Sequence, residues 1–265
     1  MLRKARELVL RLIDSRDRIP LLVFVVGQRC SLRCKNCGNF TPYLPQSDYS
    51  LEEVWFDLKR ISVFFRICKL QIQGGEALLC TFLPQLLNRI RFLDIQEVQI
   101  ATNGMHLLEP ILIKAIKKAR ASIRISDYGV PGQRSAELSQ QCERDKINNR
   151  IYRFVAGDGA WIDLGGNDER RKDDVESNIT FNKCPFRNCL TLENGILARC
   201  SRATVAHFVQ GYNERDSDFV NVRKISDMQL KDKINDYVRA PGFMEACRYC
   251  NGAQGPTIAP AVQIE

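Results

Sequence analysis

The sequence has no hydrophobic run long enough to cross a bilayer. The longest, Leu21 to Val26, covers six residues, whereas a spanning helix needs about 20. Nothing before it resembles a secretory signal, because Arg, Lys, Glu and Asp recur through that segment. Glu7, Asp14 and Asp17 also argue against a transit peptide, which is poor in acidic residues. These absences predict a cytoplasmic chain with no membrane partner. Histidine is scarce: His106 and His207 are the two, their spacing is not that of metal ligands, and both are assigned to surface or core. No internal repeat or low-complexity tract interrupts the chain. Acidic residues are outnumbered by basic ones, 31 to 39, for a net charge of +8 spread along the chain. A dispersed excess reads as a solvated surface, so nucleic acid is not an expected partner. The charge suits an anionic cofactor and an acidic electron-donor protein.

What the sequence has in plenty is cysteine. Eleven thiols, an odd number without an export signal, fit poorly with a disulfide framework, and their clustering points to metal. The 265 residues are 45% hydrophobic and 26% charged, enough for one large domain and a small one.

Apolar positions among the charges of residues 1–16 predict an amphipathic helix, the core of an N-terminal unit over 1–19. Leu21 to Gly27 reads as a buried strand. Ser50 with Glu53 forms a capping box opening a helix to about Phe65. Strands over Leu70–Gln73, Glu97–Ala101, Ser122–Ile125 and Ile151–Val155 alternate with helices over Phe82–Phe92, Leu107–Ala121 and Gln133–Lys146. This alternation is that of parallel βαβ units. The predicted fold is α/β: a partial (β/α)5-6 TIM-like barrel over 20–160, a polar connection over 161–179, and a small α+β domain over 180–265. In such barrels chemistry collects where strands end. The cysteine loop, Gly74-Gly75-Glu76, Thr102-Asn103-Gly104, Ser126-Asp127-Tyr128 and Gly157-Asp158-Gly159 all fall there.

Cys30-Ser-Leu-Arg-Cys34-Lys-Asn-Cys37 has the spacing C-x3-C-x2-C. Three soft thiolates on one short loop can wrap three corners of a cubane and leave the fourth iron open. A structural zinc site is the alternative, although closed zinc sites usually assemble two ligand pairs. This motif after a first barrel strand resembles the radical S-adenosylmethionine (SAM) superfamily, with Asn36 standing where the family usually has an aromatic residue. The resemblance implies that a [4Fe–4S] cluster on Cys30, Cys34 and Cys37 binds SAM. It also implies that one electron from a flavodoxin- or ferredoxin-type donor cleaves SAM to a 5′-deoxyadenosyl radical, which takes hydrogen from substrate. Gly74, Gly75 and Glu76 resemble the family's SAM-amino motif, with the glycines letting backbone approach the ligand and Glu76 accepting from its ammonium. Ser126 and Asp127 fall where the family contacts SAM ribose or carboxylate, with helix capping as the alternative. Asn103-Gly104 is a further cofactor candidate or a plain turn.

Cys184, ten residues, Gly195, four residues and Cys200 match the C-x9–15-G-x4-C signature of the auxiliary-cluster domains called SPASM and twitch. A hairpin of 190–193 and 196–198 about Asn194-Gly195 would bring the two thiols together. Cys247-Arg-Tyr-Cys250 supplies one further pair, which resembles twitch with one auxiliary [4Fe–4S] cluster. A zinc knot on the same four residues is the alternative. Cys189 is a spare thiol near this set, an alternative ligand, a hydrogen donor or an inert cysteine. Cys68, Cys80 and Cys142 are expected to be buried. A short chain of this design looks like the aminocyclitol dehydrogenases, which implies oxidation of a carbohydrate or aminocyclitol alcohol to a ketone. Radical SAM sugar epimerases, with Cys189 or Cys80 returning hydrogen, and peptide-modifying enzymes are the enzymatic alternatives. A zinc or iron–sulfur nucleic-acid module is the non-enzymatic one. Tyr128, Trp161, Asp163 and Arg187 are candidates for contact with a small-molecule substrate, and Cys189, Tyr128 and Asp163 for catalysis.

Overall fold

The structure is a computed structural model and describes residues 16–154, 161–165, 171–240 and 242–264. The predicted N-terminal helix lies almost wholly outside the described residues, as does Gly157-Asp158-Gly159. Where the helix range overlaps them, Asp17–Ile19 already belong to the first strand.

Five strands run in chain order across one sheet: β1 (Asp17–Val25), β2 (Phe65–Gln73), β3 (Ile95–Thr102), β4 (Ser122–Asp127) and β5 (Asn149–Arg153). All four pairings between them are parallel. The crossovers carry α1 (Leu51–Phe64), α2 (Leu83–Ile90), α3 (Pro110–Ala119) and α4 (Ser135–Arg144). This mixed α/β architecture, with its large parallel sheet, has the winding of a partial TIM-like barrel. Leu22, Val23, Phe24, Val25 and Val26 are all buried, as a strand covered on both faces requires. α1 buries Val54, Leu58 and Ile61 at helical spacing. Its predicted capping box does not form: Ser50 is the N-cap without a side-chain hydrogen bond, and Glu53 instead meets Arg223 at 3.1 Å.

The second half contains β6 (Trp161–Ile162), α5 (Asp174–Lys183), β7 (Leu190–Glu193), β8 (Ile196–Ala198), α6 (Ala206–Gln210), β9 (Val220–Asn221), α7 (Asp227–Arg239) and β10 (Thr257–Ile258). The β7–β8 hairpin forms at the predicted residues, with Asn194 and Gly195 both at positive φ, 44° and 81°. That pair of left-handed residues is what a two-residue hairpin turn needs. The hairpin is not detached from the barrel. β7 pairs in parallel with β1, from Leu22 opposite Leu190 to Val25 opposite Glu193, so the sheet reads β5-β4-β3-β2-β1-β7-β8-β9. Arg223 also grips Asp57 of α1 with two hydrogen bonds, 2.8 and 2.7 Å. The described part of the expected polar connection over 161–179 holds β6, paired antiparallel with β10, and the start of α5, capped by Asp173.

Candidate functional site

The loop after β1 carries Cys30, Cys34 and Cys37. Local turns shape it: Cys37 N–H donates to the Cys34 carbonyl at 3.1 Å and Phe40 N–H to the Cys37 carbonyl at 3.0 Å. Donors are aimed at its sulfurs. Leu32 N–H lies 3.4 Å from Cys30 Sγ, Asn103 Nδ2 3.7 Å from the same atom, and Gln263 Nε2 3.5 Å from Cys34 Sγ. Burial pushes the Cys30 thiol up to about 12, with the Glu76 carboxylate adding to it, and burial pushes Cys34 up to about 11. Thiols held neutral in this way ionise against a cationic partner such as iron. Soft donors on one loop with N–H groups facing the sulfurs fit an iron–sulfur cluster.

Gly74 and Gly75 follow β2 as predicted, and both lie against the backbone of the first loop. A Cβ at Gly74 would sit 2.6 Å from the Gly27 carbonyl oxygen, and one at Gly75 2.5 Å from that of Arg29. The glycines therefore allow the two loops to touch. Gly75 N–H donates to Gly27 O at 3.0 Å and Glu76 N–H to Arg29 O at 2.7 Å, which fastens the motif to the root of the cysteine loop. Glu76 is 3% exposed. One of its oxygens accepts from Leu78 N–H at 2.8 Å and the other from Asn103 N–H at 2.7 Å. Burial raises its pKa against these donors.

Asn103 sits at the end of β3, and its Nδ2 also donates to Ser31 Oγ at 3.1 Å. Ser126 and Asp127 lie in the last two positions of β4, not in the following loop. Ser126 Oγ accepts from Arg124 at 2.9 Å, and Asp127 Oδ1 accepts from Gly129 N–H at 3.2 Å. Gln133, which no sequence signal singled out, ties these strand ends together. Its Nε2 donates to the carbonyls of Asn103 and Ser126, and its Oε1 accepts from Tyr128 and Gly129 N–H.

Two further elements escape sequence reasoning. The segment 261–264 lies across the cysteine loop: Lys35 N–H donates to Val262 O at 2.7 Å, Ile264 N–H to Arg33 O at 2.8 Å, and Arg33 N–H to Gln263 Oε1 at 2.7 Å. Glu193, at the end of β7 beside β1, is 3% exposed and receives Gln28, Thr204 and Tyr49, the last at 2.7 Å. Burial raises its pKa.

Cys184, Cys200, Cys247 and Cys250 come from separate stretches and line one narrow cavity of about 30 Å³, together with Arg187, Arg202 and Met244. Burial pushes Cys200 up to about 11 and Cys247 up to about 12, and raises Cys184. Gly252 N–H lies 3.3 Å from Cys250 Sγ. Among the described residues no three His, Cys, Asp or Glu side chains are grouped as a site for a metal ion. Cys189 does not line that cavity. It stands near Cys184, and burial pushes it up to about 11. Cys80 and Cys142 are buried as expected, but Cys68 is half-buried in β2.

Of the substrate candidates, Tyr128 and Trp161 come together, edge to face at 5.2 Å, and pack against the first cysteine loop. Asp163 is engaged locally, accepting from Gly165 N–H at 2.9 Å, while Arg187 is exposed beside the second thiols.

No family model matches the chain. Over 113 residues it is 33% identical to a GTP 3′,8-cyclase of Lactiplantibacillus plantarum, which covers 41% of this chain and 33% of that protein. Over 134 residues it is 32% identical to the GTP 3′,8-cyclase of Aquifex aeolicus, 48% of this chain and 41% of that one. The chain thus spans between a third and two fifths of the length of these relatives. Among solved structures, BtrN in complex with AdoMet and 2-DOIA matches 95% of this chain and 99% of its own with a TM-score of 0.60 at 14% identity. Native anSMEcpe with bound AdoMet and a Cp18Cys peptide matches 83% and 82% with a TM-score of 0.53 at 14% identity. At such identities the likeness is one of fold. The class defined by fold and loop is a parallel α/β protein with a thiol-rich loop at its first strand end. The curated relatives, together with the shared fold, support placing the chain in the radical SAM superfamily.

Proposed function

We propose that the chain is a radical SAM oxidoreductase that oxidises an alcohol of a small carbohydrate or aminocyclitol to a ketone, with an auxiliary [4Fe–4S] cluster on Cys184, Cys200, Cys247 and Cys250. The observation that carries this reading is the gathering of those four thiols, from residues 66 positions apart at the extremes, around one cavity on the same sheet as the first loop. Four thiolates can close a [4Fe–4S] cluster or hold a zinc ion. When bound, SAM and its cluster would supply a radical that takes the carbinol hydrogen, the hydroxyl proton would leave to a base or solvent, and the auxiliary cluster would take the remaining electron.

The chain's own residues bind and orient. Cys30, Cys34 and Cys37 hold three irons, and Asn103 and Gln263 donate toward their sulfurs. Gly74, Gly75 and Glu76 fix the loop where SAM would lie, with Glu76 retaining lone pairs for an ammonium. Asn103, Ser126 and Asp127 form the rim for ribose and carboxylate. Tyr128 and Trp161 shield the first loop from water and face substrate, and Asp163 borders the second site. A reduced flavodoxin or ferredoxin would meet the +8 chain as electron donor.

Anaerobic purification tests the reading. About eight irons and eight sulfides per chain, deoxyadenosine formed under dithionite, and a product two mass units lighter than substrate are the expected results. Zinc without iron would sink it. A product one unit heavier from D2O would instead mark an epimerase, in which Cys189, a protonated thiol, returns hydrogen.

A further inference from the structure

Arg202 is the buried cation of the second site. It stands two residues after Cys200, is 3% exposed, and lines the cavity with the four thiols. One Nη donates to the Gly165 carbonyl. Its guanidinium carbon lies 3.9 Å from the centre of the Phe40 ring, and its Nε is buried without a partner. The contrast with other guanidiniums is plain. Arg223 bridges to Asp57 at 2.7 Å and Arg248 to Glu245 at 3.0 Å. Among the described residues, Arg202 has a carbonyl and a ring but no bridging carboxylate.

A buried unpaired charge is strongly unfavourable, so a counter-charge has to lie within reach. Four thiolates around iron carry net negative charge, and they are what this guanidinium faces. We infer that Arg202 is the counter-charge of the group held by Cys184, Cys200, Cys247 and Cys250, and that its positive charge raises the reduction potential of that group. Net charge and burial are among the levers that set iron–sulfur potentials. Arg202 is a positioning residue for an electron acceptor, and through Phe40 it is packed against the residue that follows the first loop, whose N–H donates to Cys37 O at 3.0 Å. Arg187, exposed on the same cavity, is the natural control, because solvent and salt screen it.

The inference rests on the auxiliary-cluster reading, and the test separates the two. The full chain carrying Cys30→Ala, Cys34→Ala and Cys37→Ala leaves the second site alone to be titrated by electron paramagnetic resonance. Absence of iron, or zinc in its place, in this parent overturns the auxiliary cluster and with it the inference. With four irons bound, Arg202→Met is expected to raise the oxidised-to-reduced ratio at a fixed potential about tenfold, a midpoint lower by about 59 mV for one electron. Arg202→Lys is expected to stay within about threefold of the parent, and Arg187→Met within about twofold, less at high salt. An unchanged midpoint in Arg202→Met overturns the inference alone. Should Arg202→Met fail to hold iron, Arg202→Gln and Arg202→Lys decide: iron in the lysine variant and not in the glutamine variant supports the counter-charge, as does a lowered midpoint in Arg202→Gln. Loss of iron from the lysine variant, or an unshifted glutamine variant, overturns it.

Discussion

The two groups of cysteines are assembled in opposite ways. Cys30, Cys34 and Cys37 lie within eight residues of one loop, shaped by its own turns. Cys184, Cys200 and the pair Cys247 and Cys250 follow α5, β8 and a stretch beyond α7, and meet through tertiary structure alone. Their electrostatic surroundings differ in sign as well. A buried carboxylate, Glu76, acts on the first loop, while two arginines line the second cavity. A negative neighbour favours the oxidised form of a cluster and a positive one the reduced form, so on the proposed reading the two sites would act as an electron source and an electron sink.

The most severe way to break this comparison is to remove one ligand from each group. Cys34→Ala should abolish deoxyadenosine formation and lower iron from about eight to about four per chain, with the thermal midpoint little changed. Cys200→Ala should lower iron equally but also loosen residues 184–250, because metal binding to a dispersed site is itself folding free energy. Iron analysis, SAM cleavage and limited proteolysis read the three effects. Equal protease resistance in both variants would show that the second site is as self-sufficient as the first.

A smaller effect is expected where the first loop meets the motif after β2. Alanine at Gly75 would press a methyl within 2.5 Å of Arg29 O and 2.6 Å of Gln28 O, both backbone atoms that cannot swing aside. Overpacking of this kind costs about 1–3 kcal/mol. The urea midpoint should fall accordingly, and SAM binding should weaken because the root of the cysteine loop is displaced. A variant of wild-type stability with weakened SAM binding would instead point to direct contact between this glycine and SAM.

What could be read from the chain divides along the same line. The first three thiols, the Gly-Gly-Glu turn and the strand–helix alternation are local patterns, and the β7–β8 hairpin was legible because Asn194-Gly195 dictates its turn. Strand ends were set too short, as at β1 and β2, since charged residues such as Arg18 and Lys69 pair in the sheet without fitting an apolar pattern. The attachment of β7 to β1 left no trace, because pairing between strands 165 or more residues apart depends on edges that only the folded sheet presents. Gln133, Glu193 and Arg202 were missed for a related reason. Each is an ordinary polar residue whose role comes from burial among partners distant in sequence.

The gentlest test concerns the cover over the first loop. Gln263 is the one side chain of the segment 261–264 that reaches both the loop backbone, at Arg33 N–H, and a sulfur, at Cys34. The backbone bonds of Lys35 and Ile264 do not depend on it, so Gln263→Ala should keep the segment in place and lose about 1 kcal/mol. Its specific consequence is electronic. Removing an N–H donor from a cluster sulfur leaves the reduced, more negative state less stabilised, so the first cluster's midpoint should fall slightly while the second is untouched. Redox titration of both clusters in the same sample measures this directly. A shift confined to the first cluster sharpens the contrast between the two sites, and a shift in both would mean that segment 261–264 couples them.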